Sequence, residues 1–130
     1  MIAAMLLMFA QGFGSNAADI RGEWINQRST AIVRIEDCPS GVCGTVIWSA
    51  PTARRDAAGG GIGELNGTIV MLGFVPASTR RWRGRLFLPD HNRTVQATIE
   101  LRINDELQVT GCELGGLLCK RQRWHRRSAE

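Results

Sequence analysis

Alternation with a period of two dominates the chain beyond residue 20. Over residues 94–103, Val95, Ala97, Ile99, Leu101 and Ile103 fall on one side, and Thr94, Gln96, Thr98, Glu100 and Arg102 on the other. That is the pattern of an antiparallel strand with one face buried and one in water. Ala31, Val33 and Ile35 alternate with Arg34 and Glu36 in the same way, as do Leu107 and Val109 with Gln108 and Thr110. Further strands are predicted over residues 22–27, 44–48, 68–74, 82–88 and 121–126, with Asp90-His91-Asn92 and Asn104-Asp105 supplying turns. Beyond residue 18 no window sustains apolar residues at three- and four-residue spacing, so no helix is expected. Eight short strands predict an all-β meander that closes or sandwiches itself to hide its edges.

The longest stretch outside this pattern is residues 49–67, with Pro51, Arg54-Arg55 and Gly59-Gly60-Gly61-Ile62-Gly63. Glycine loops that cradle phosphate follow a strand and open a helix. Here Thr68-Ile69-Val70 continues as a strand, so a mobile surface loop or lid is the expectation for the Gly-rich part, residues 57–67.

The first ten residues, Met1 to Ala10, are uniformly apolar, and Ser15-Asn16-Ala17-Ala18 follows with small residues suited to cleavage. This reads as a secretory signal peptide over residues 1–18, its positive end supplied by the Met1 amino group or by residues further upstream. The run is about half the ~20 residues a membrane-spanning helix needs, so no membrane span is expected. The remaining residues, 19–130, form one domain, large enough to bury roughly two thirds of the unfolded surface around one core. An exported chain of this kind is periplasmic or secreted.

That location bears on the four cysteines. They come as two close pairs, Cys38 with Cys43 and Cys112 with Cys119, each bracketing a Gly-containing turn. Opposed residues of antiparallel strands have Cα atoms ~4.5 to 5.5 Å apart, within reach of a disulfide. An oxidising compartment favours two hairpin-closing bridges over free thiols or a four-cysteine zinc site, whose ligands usually stand closer in sequence. No metal or cofactor is expected.

The net charge of +4 is unevenly placed. Residues 80–93 hold five Arg and one Asp, and residues 120–127 hold five basic residues and no acid. Arg80, Arg81, Arg83 and Arg85 with Arg121 and Arg123 are candidates for an anion-binding platform, or for a solvated strand face. No nucleic-acid reading motif is present, and export removes that partner. Catalytic candidates are thin: His91 lies in a turn and His125 near the C-terminus, and no G-x-S-x-G occurs. The aromatic residues after position 18 are Trp24, Trp48, Trp82, Trp124, Phe74 and Phe87. Most suit a core, while Trp48 and Trp82, with Arg83 and Arg85, are candidates to line a ligand site.

Four segments carry a family resemblance: Gly22-Glu23-Trp24; Ile35 to Cys38 leading into Val42-Cys43-Gly44-Thr45-Val46-Ile47-Trp48; Trp82-Arg83-Gly84-Arg85-Leu86-Phe87 before Pro89-Asp90; and Gly111-Cys112 through Gly115-Gly116-Leu117-Leu118-Cys119 to Trp124-His125-Arg126. Together they resemble the exported bacterial family catalogued as domain of unknown function 2147. Its Asn-Pro-Asp and Arg-x-Arg-Pro stretch is replaced here by Ala57-Ala58-Gly59-Gly60-Gly61. The resemblance implies an eight-stranded antiparallel up-and-down barrel of the lipocalin-like, or calycin, type. It also implies that Trp24 packs under Arg126 to close one end, a structural role. The function expected is non-catalytic binding of a small, partly apolar molecule or an envelope component. The alternative is an interaction module that sets its Arg-rich segments against an anionic surface or acidic partner, and the third reading is an envelope enzyme.

Overall fold

Each alternating run becomes a strand, and hydrogen bonding joins the strands in chain order until the last meets the first. The computed structural model describes residues 19–127; the expected signal peptide lies outside the described residues. The strands are β1 (Gly22–Ile25), β2 (Ala31–Cys38), β3 (Gly41–Ser49), β4 (Ile69–Ser78), β5 (Arg81–Leu88), β6 (Arg93–Leu101), β7 (Glu106–Glu113) and β8 (Leu118–Arg126). All neighbours are antiparallel, and β8 returns to β1 through Trp24 opposite Arg126 and Ile25 opposite His125. The result is the closed eight-stranded up-and-down barrel that the resemblance implied. Its lower end carries the β2–β3, β4–β5 and β6–β7 turns with residues 19–21, and its upper end carries the other connections.

Three expectations are corrected. The β6 strand ends at Leu101, not at residue 103, because residues 102–105 form a turn in which the Asp105 N–H donates to the Arg102 carbonyl at 2.9 Å. Ile103, counted on the apolar face by alternation, is thereby thrown out and is 95% exposed. The second correction is a helix where none was expected, α1 (Pro51–Gly59). Proline at its start supplies a preset φ, and the alanines that follow are strong helix formers. Nine residues make only about two and a half turns, too few for a 3.6-residue period to emerge.

Nor is the Gly-rich segment a free loop. Ala57 and Leu65 are buried, and Ala53 and Ile62 pack against the same core. The Ser49 hydroxyl donates to Asn66 Oδ1 at 2.6 Å, and the Arg54 guanidinium donates to the Ser49 carbonyl. At Gly60 a Cβ would lie 2.2 Å from the Pro89 carbonyl oxygen, so the end of α1 abuts the β5–β6 turn. The helix and the loop after it thus cover the upper end of the barrel.

The inward side chains pack against one another. Trp24, Val33, Ile35, Val46, Met71, Phe74, Ala97, Ile99, Leu101, Leu107 and Val109 are all buried in one cluster. Two inward positions are glycine because larger neighbours occupy their space. A Cβ at Gly44 would come within 2.7 Å of Met71 Sδ and 2.9 Å of Val33 Cγ1, and one at Gly84 within 2.7 Å of the Phe74 ring. Phe74 is aimed there by a bulge: Leu72 faces Arg85 and Val75 faces Arg83, so Gly73 and Phe74 together oppose Gly84. Gly73 takes φ +59, a left-handed value that a side chain disfavours. An eight-stranded barrel has an interior just wide enough for side chains or one small ligand, and here Met71 and Phe74 occupy the space beside Gly44 and Gly84.

The lower end is closed around Trp24. It is fully buried, its indole N–H donates to the Ile20 carbonyl at 2.8 Å, and the Arg126 guanidinium carbon lies 4.3 Å from its ring centre. Arg126 also donates to the carbonyls of Asp19 (2.9 Å) and Arg21 (3.0 Å) and to the Asp105 carboxylate (2.8 Å). Beside this closure, hydrogen bonds from Arg34 and then Arg127 hold the Glu23 carboxyl below the usual carboxylate range, tying β1 to β2 and to the end of β8.

Candidate functional site: an outer arginine face

The inward half of the alternation is apolar, and the charged groups stand on its outward half. On β5 the inward residues are Trp82, Gly84 and Leu86, which leaves Arg81, Arg83 and Arg85 outside. On β8 the same parity turns Trp124 inward and leaves Arg121, Arg123 and His125 outside. Register then decides which of them share a row. Arg83 faces Thr98, Thr98 faces Thr110, and Thr110 faces Arg121. The row below runs Arg81, Glu100, Gln108, Arg123, and the row above runs Arg85, Gln96, Cys112, Cys119.

Two columns of guanidinium groups therefore flank a strip of threonine and glutamine that carries Glu100 in its lower row. Strands ~4.8 Å apart place the two columns roughly 14 Å apart at the backbone. Long arginine side chains on either side can lean toward a ligand lying over the threonine hydroxyls. Among the described residues, no carboxylate lies within ion-pairing distance of Arg83, Arg85, Arg121 or Arg123, whereas Arg81 lies 3.9 Å from Glu100. The face is thus positive, exposed and largely uncompensated.

Of the six arginines expected in a platform, Arg80 does not join it. It occupies the β4–β5 turn at φ +64, and its guanidinium donates to the carbonyls of Leu101 (2.8 Å) and Arg102 (2.7 Å). The four ligand-site candidates are likewise separated. Trp82 points inward against the core, and Arg83 and Arg85 point outward. Trp48 stands on the far side of the sheet, in a shallow depression of about 480 Å³ with Ile32, Ile47 and Arg127. Strict alternation from Gly44 and Val46 would have brought Trp48 inside. Instead Ile32 pairs with Trp48 and Val33 with Val46, so Ile47 is an extra residue that turns Trp48 out and gives the buried position to Ser49. A larger open groove, about 660 Å³, lies at the upper end between β6 and the β7–β8 turn, with Arg93, Gln96, Glu113 and Leu114 among its lining.

The remaining candidates form no reacting group. His91, in the upper β5–β6 turn, is exposed with Asp90 at 3.8 Å, and His125, at the lower end, is exposed with Glu106 at 3.5 Å. Among the described residues no three His, Cys, Asp or Glu side chains gather as metal ligands would. The cysteines form two disulfides, Cys38–Cys43 across the β2–β3 turn and Cys112–Cys119 between β7 and β8, in place of free thiols or a zinc shell. No helix among the described residues is long and apolar enough to cross a membrane.

Comparison with known proteins agrees with this architecture. No curated protein matches the chain. A solved structure, protein HP1028 from the human pathogen Helicobacter pylori, described as belonging to the lipocalin family, is similar with a TM-score of 0.65. The likeness covers 86% of this chain and 85% of that one at 12% identity, and concerns the fold alone. Residues 22–126 match the family described as an uncharacterized protein conserved in bacteria, DUF2147. The match spans every strand from β1 to β8, and the chain belongs to that DUF2147 family, built on a lipocalin-like barrel.

Proposed function

We propose that this barrel is a non-catalytic binding protein that engages an anionic partner through the outer face of β5–β8. The observation that carries this reading is the row Arg83, Thr98, Thr110, Arg121, with Arg85 and Arg123 beside it and no carboxylate pairing those four guanidiniums among the described residues. Guanidinium forks and hydroxyl donors together suit phosphate, sulfate or carboxylate groups repeated along a surface or chain. The leading expectation from the sequence, a small, partly apolar ligand, loses support as an occupant of the interior from Met71 and Phe74, which leave no room for one methyl group at Gly44 or Gly84. The function proposed is instead the alternative expectation, the Arg-rich segments set against an anionic partner. Export, expected from residues 1–18, agrees with the paired disulfides and would place the face against envelope components.

Heparin, used as a generic polyanion, provides the test. Exposed charge pairs contribute about 0.2–1 kcal/mol each and are screened by salt, with a Debye length of ~8 Å at physiological strength. Replacing Arg83, Arg85, Arg121 and Arg123 together with Gln is expected to weaken binding by about tenfold or more. The paired change Arg83→Gln/Arg121→Gln is expected to weaken it more than Arg28→Gln/Arg55→Gln, which removes the same charge from exposed positions elsewhere. Equal losses from the two pairs would reduce the effect to net charge and remove the site.

A further inference from the structure

The β7–β8 turn presents apolar chemistry that neither the core nor the arginine face uses. Leu114, Leu117 and Leu118 are 70%, 87% and 53% exposed, three leucines within one short turn at the upper extremity. Single exposed leucines are ordinary, whereas a cluster at a projecting tip marks a contact surface. The tip is also held in shape. The Cys112–Cys119 disulfide ties its base, Glu113 pairs with Leu118, and the Leu117 N–H donates to the Leu114 carbonyl at 3.2 Å. Little conformational freedom remains to be lost on docking.

The tip projects because the barrel wall is short beside it. β1 comprises only Gly22–Ile25 and pairs with β8 at Arg126 and His125. The upper half of β8 therefore has β7 on one side and no strand partner on the other among the described residues. Next along β8 from the leucines stand Lys120 and Arg121, on opposite faces of the strand and both exposed, whereas Arg123 lies about 16 Å from Leu118 toward the lower end. The nearest acid, Glu113, is engaged by Arg93 at 3.5 Å, so the collar keeps its positive sign.

From this juxtaposition we infer that the β7–β8 tip docks into the interfacial layer of a lipid bilayer bearing anionic headgroups. Leu114, Leu117 and Leu118 enter the boundary of the acyl chains, and Lys120 and Arg121 sit at the level of the phosphates. Apolar insertion with a basic collar is the combination that interfacial membrane contacts require. A second copy paired along the β8 edge would bring Lys120, Arg121 and Arg123 against their own kind. An acidic protein would satisfy the arginines and leave the leucines without a purpose. A bilayer answers both, and for its electrostatic half the inference rests on the arginine-face reading.

Hydrogen exchange on the full chain, with and without vesicles of phosphatidylethanolamine and phosphatidylglycerol, gives a site-resolved test. Resolution matters because the apolar run of residues 1–10 can itself partition into lipid. The expected result is vesicle-dependent protection over residues 113–121, absent with phosphatidylcholine vesicles. In Leu117→Ser/Leu118→Ser that protection falls at least about tenfold, while heparin binding is unchanged. Unchanged vesicle protection in the double variant, or protection confined to other residues, overturns the insertion and leaves the arginine face standing. Protection of residues 118–122 without lipid, together with a doubled mass in sedimentation velocity, overturns it in favour of a second copy. Loss of heparin binding in Arg83→Gln/Arg85→Gln bears on the arginine face separately, since that variant retains both the leucines and the basic residues of β8.

Discussion

Trp24→Ala is expected to lower the unfolding free energy by about 3–5 kcal/mol, the usual cost of deleting a large buried aromatic. Trp24 is fully buried where the lower end closes, and it touches three kinds of partner at once. Its ring fills the space under Arg126, its N–H holds the Ile20 carbonyl, and its strand meets β8 at the only point where β1 closes the barrel among the described residues. Removing it leaves a void and an unpaired Ile20 carbonyl. It also strips the apolar support from a guanidinium that pins residues 19 and 21 to Asp105. Since a domain of this size has a total stability of about 5–15 kcal/mol, the melting temperature should fall by more than about 10 °C. Arg126→Met keeps aliphatic cover over the ring and should cost less. A Trp24→Ala melting curve superimposable on the native one would show that the barrel is not closed here.

Phe74→Ala should cost a similar amount, about 3–5 kcal/mol, for a different reason. Phe74 is fully buried in the interior, and its ring occupies the space that a side chain at position 84 would otherwise take. The deletion therefore opens an apolar void next to Gly84, far from the closing seam. Apolar voids stay dry and accept small apolar guests. Benzene should accordingly raise the melting temperature of Phe74→Ala while leaving the native protein unmoved. If benzene stabilises the native protein equally, the barrel already holds an open cavity, and internal ligand binding returns as the leading reading.

The barrel was legible in the sequence because its alternation is strong where one face is buried. Val95, Ala97, Ile99 and Leu101 on β6, and Leu107 and Val109 on β7, lie on the predicted side. Period-two reasoning failed where an extra residue shifted the phase. Ile47 turned Trp48 outward, and Gly73 let Phe74 and Val75 reverse faces within β4. Such a bulge has only a weak local signature, a glycine at best, since it answers to the curvature that closure demands. Helix α1 escaped because two turns rich in alanine and arginine carry no amphipathic period, and its docking relies on the small buried Ala57 and on loop residues Ile62 and Leu65.

The arginine face was half legible. Arg83, Arg85, Arg121 and Arg123 could be grouped by charge, and Arg81 with them, but only register shows Thr98 and Thr110 standing between Arg83 and Arg121. Arg80 could not be told apart from its neighbours by charge density, because its removal from the face follows from a left-handed turn and two backbone carbonyls. The exposure of the leucines in the β7–β8 turn has no signature in the sequence for a similar reason. In sequence, Leu114, Leu117 and Leu118 resemble any apolar run beside a strand, and their exposure becomes apparent only once β1 proves too short to flank them.

The most direct measurement is a titration of ¹⁵N-labelled protein with a heparin oligosaccharide, followed by amide chemical shifts. If the barrel binds anions on its outer wall, the shifts should centre on Arg83, Thr98, Thr110 and Arg121 and fade with added salt, while Met71, Phe74 and Ile99 stay still. Shifts centred on those interior residues, or none on the β5–β8 face at concentrations that saturate binding, would contradict an external arginine site.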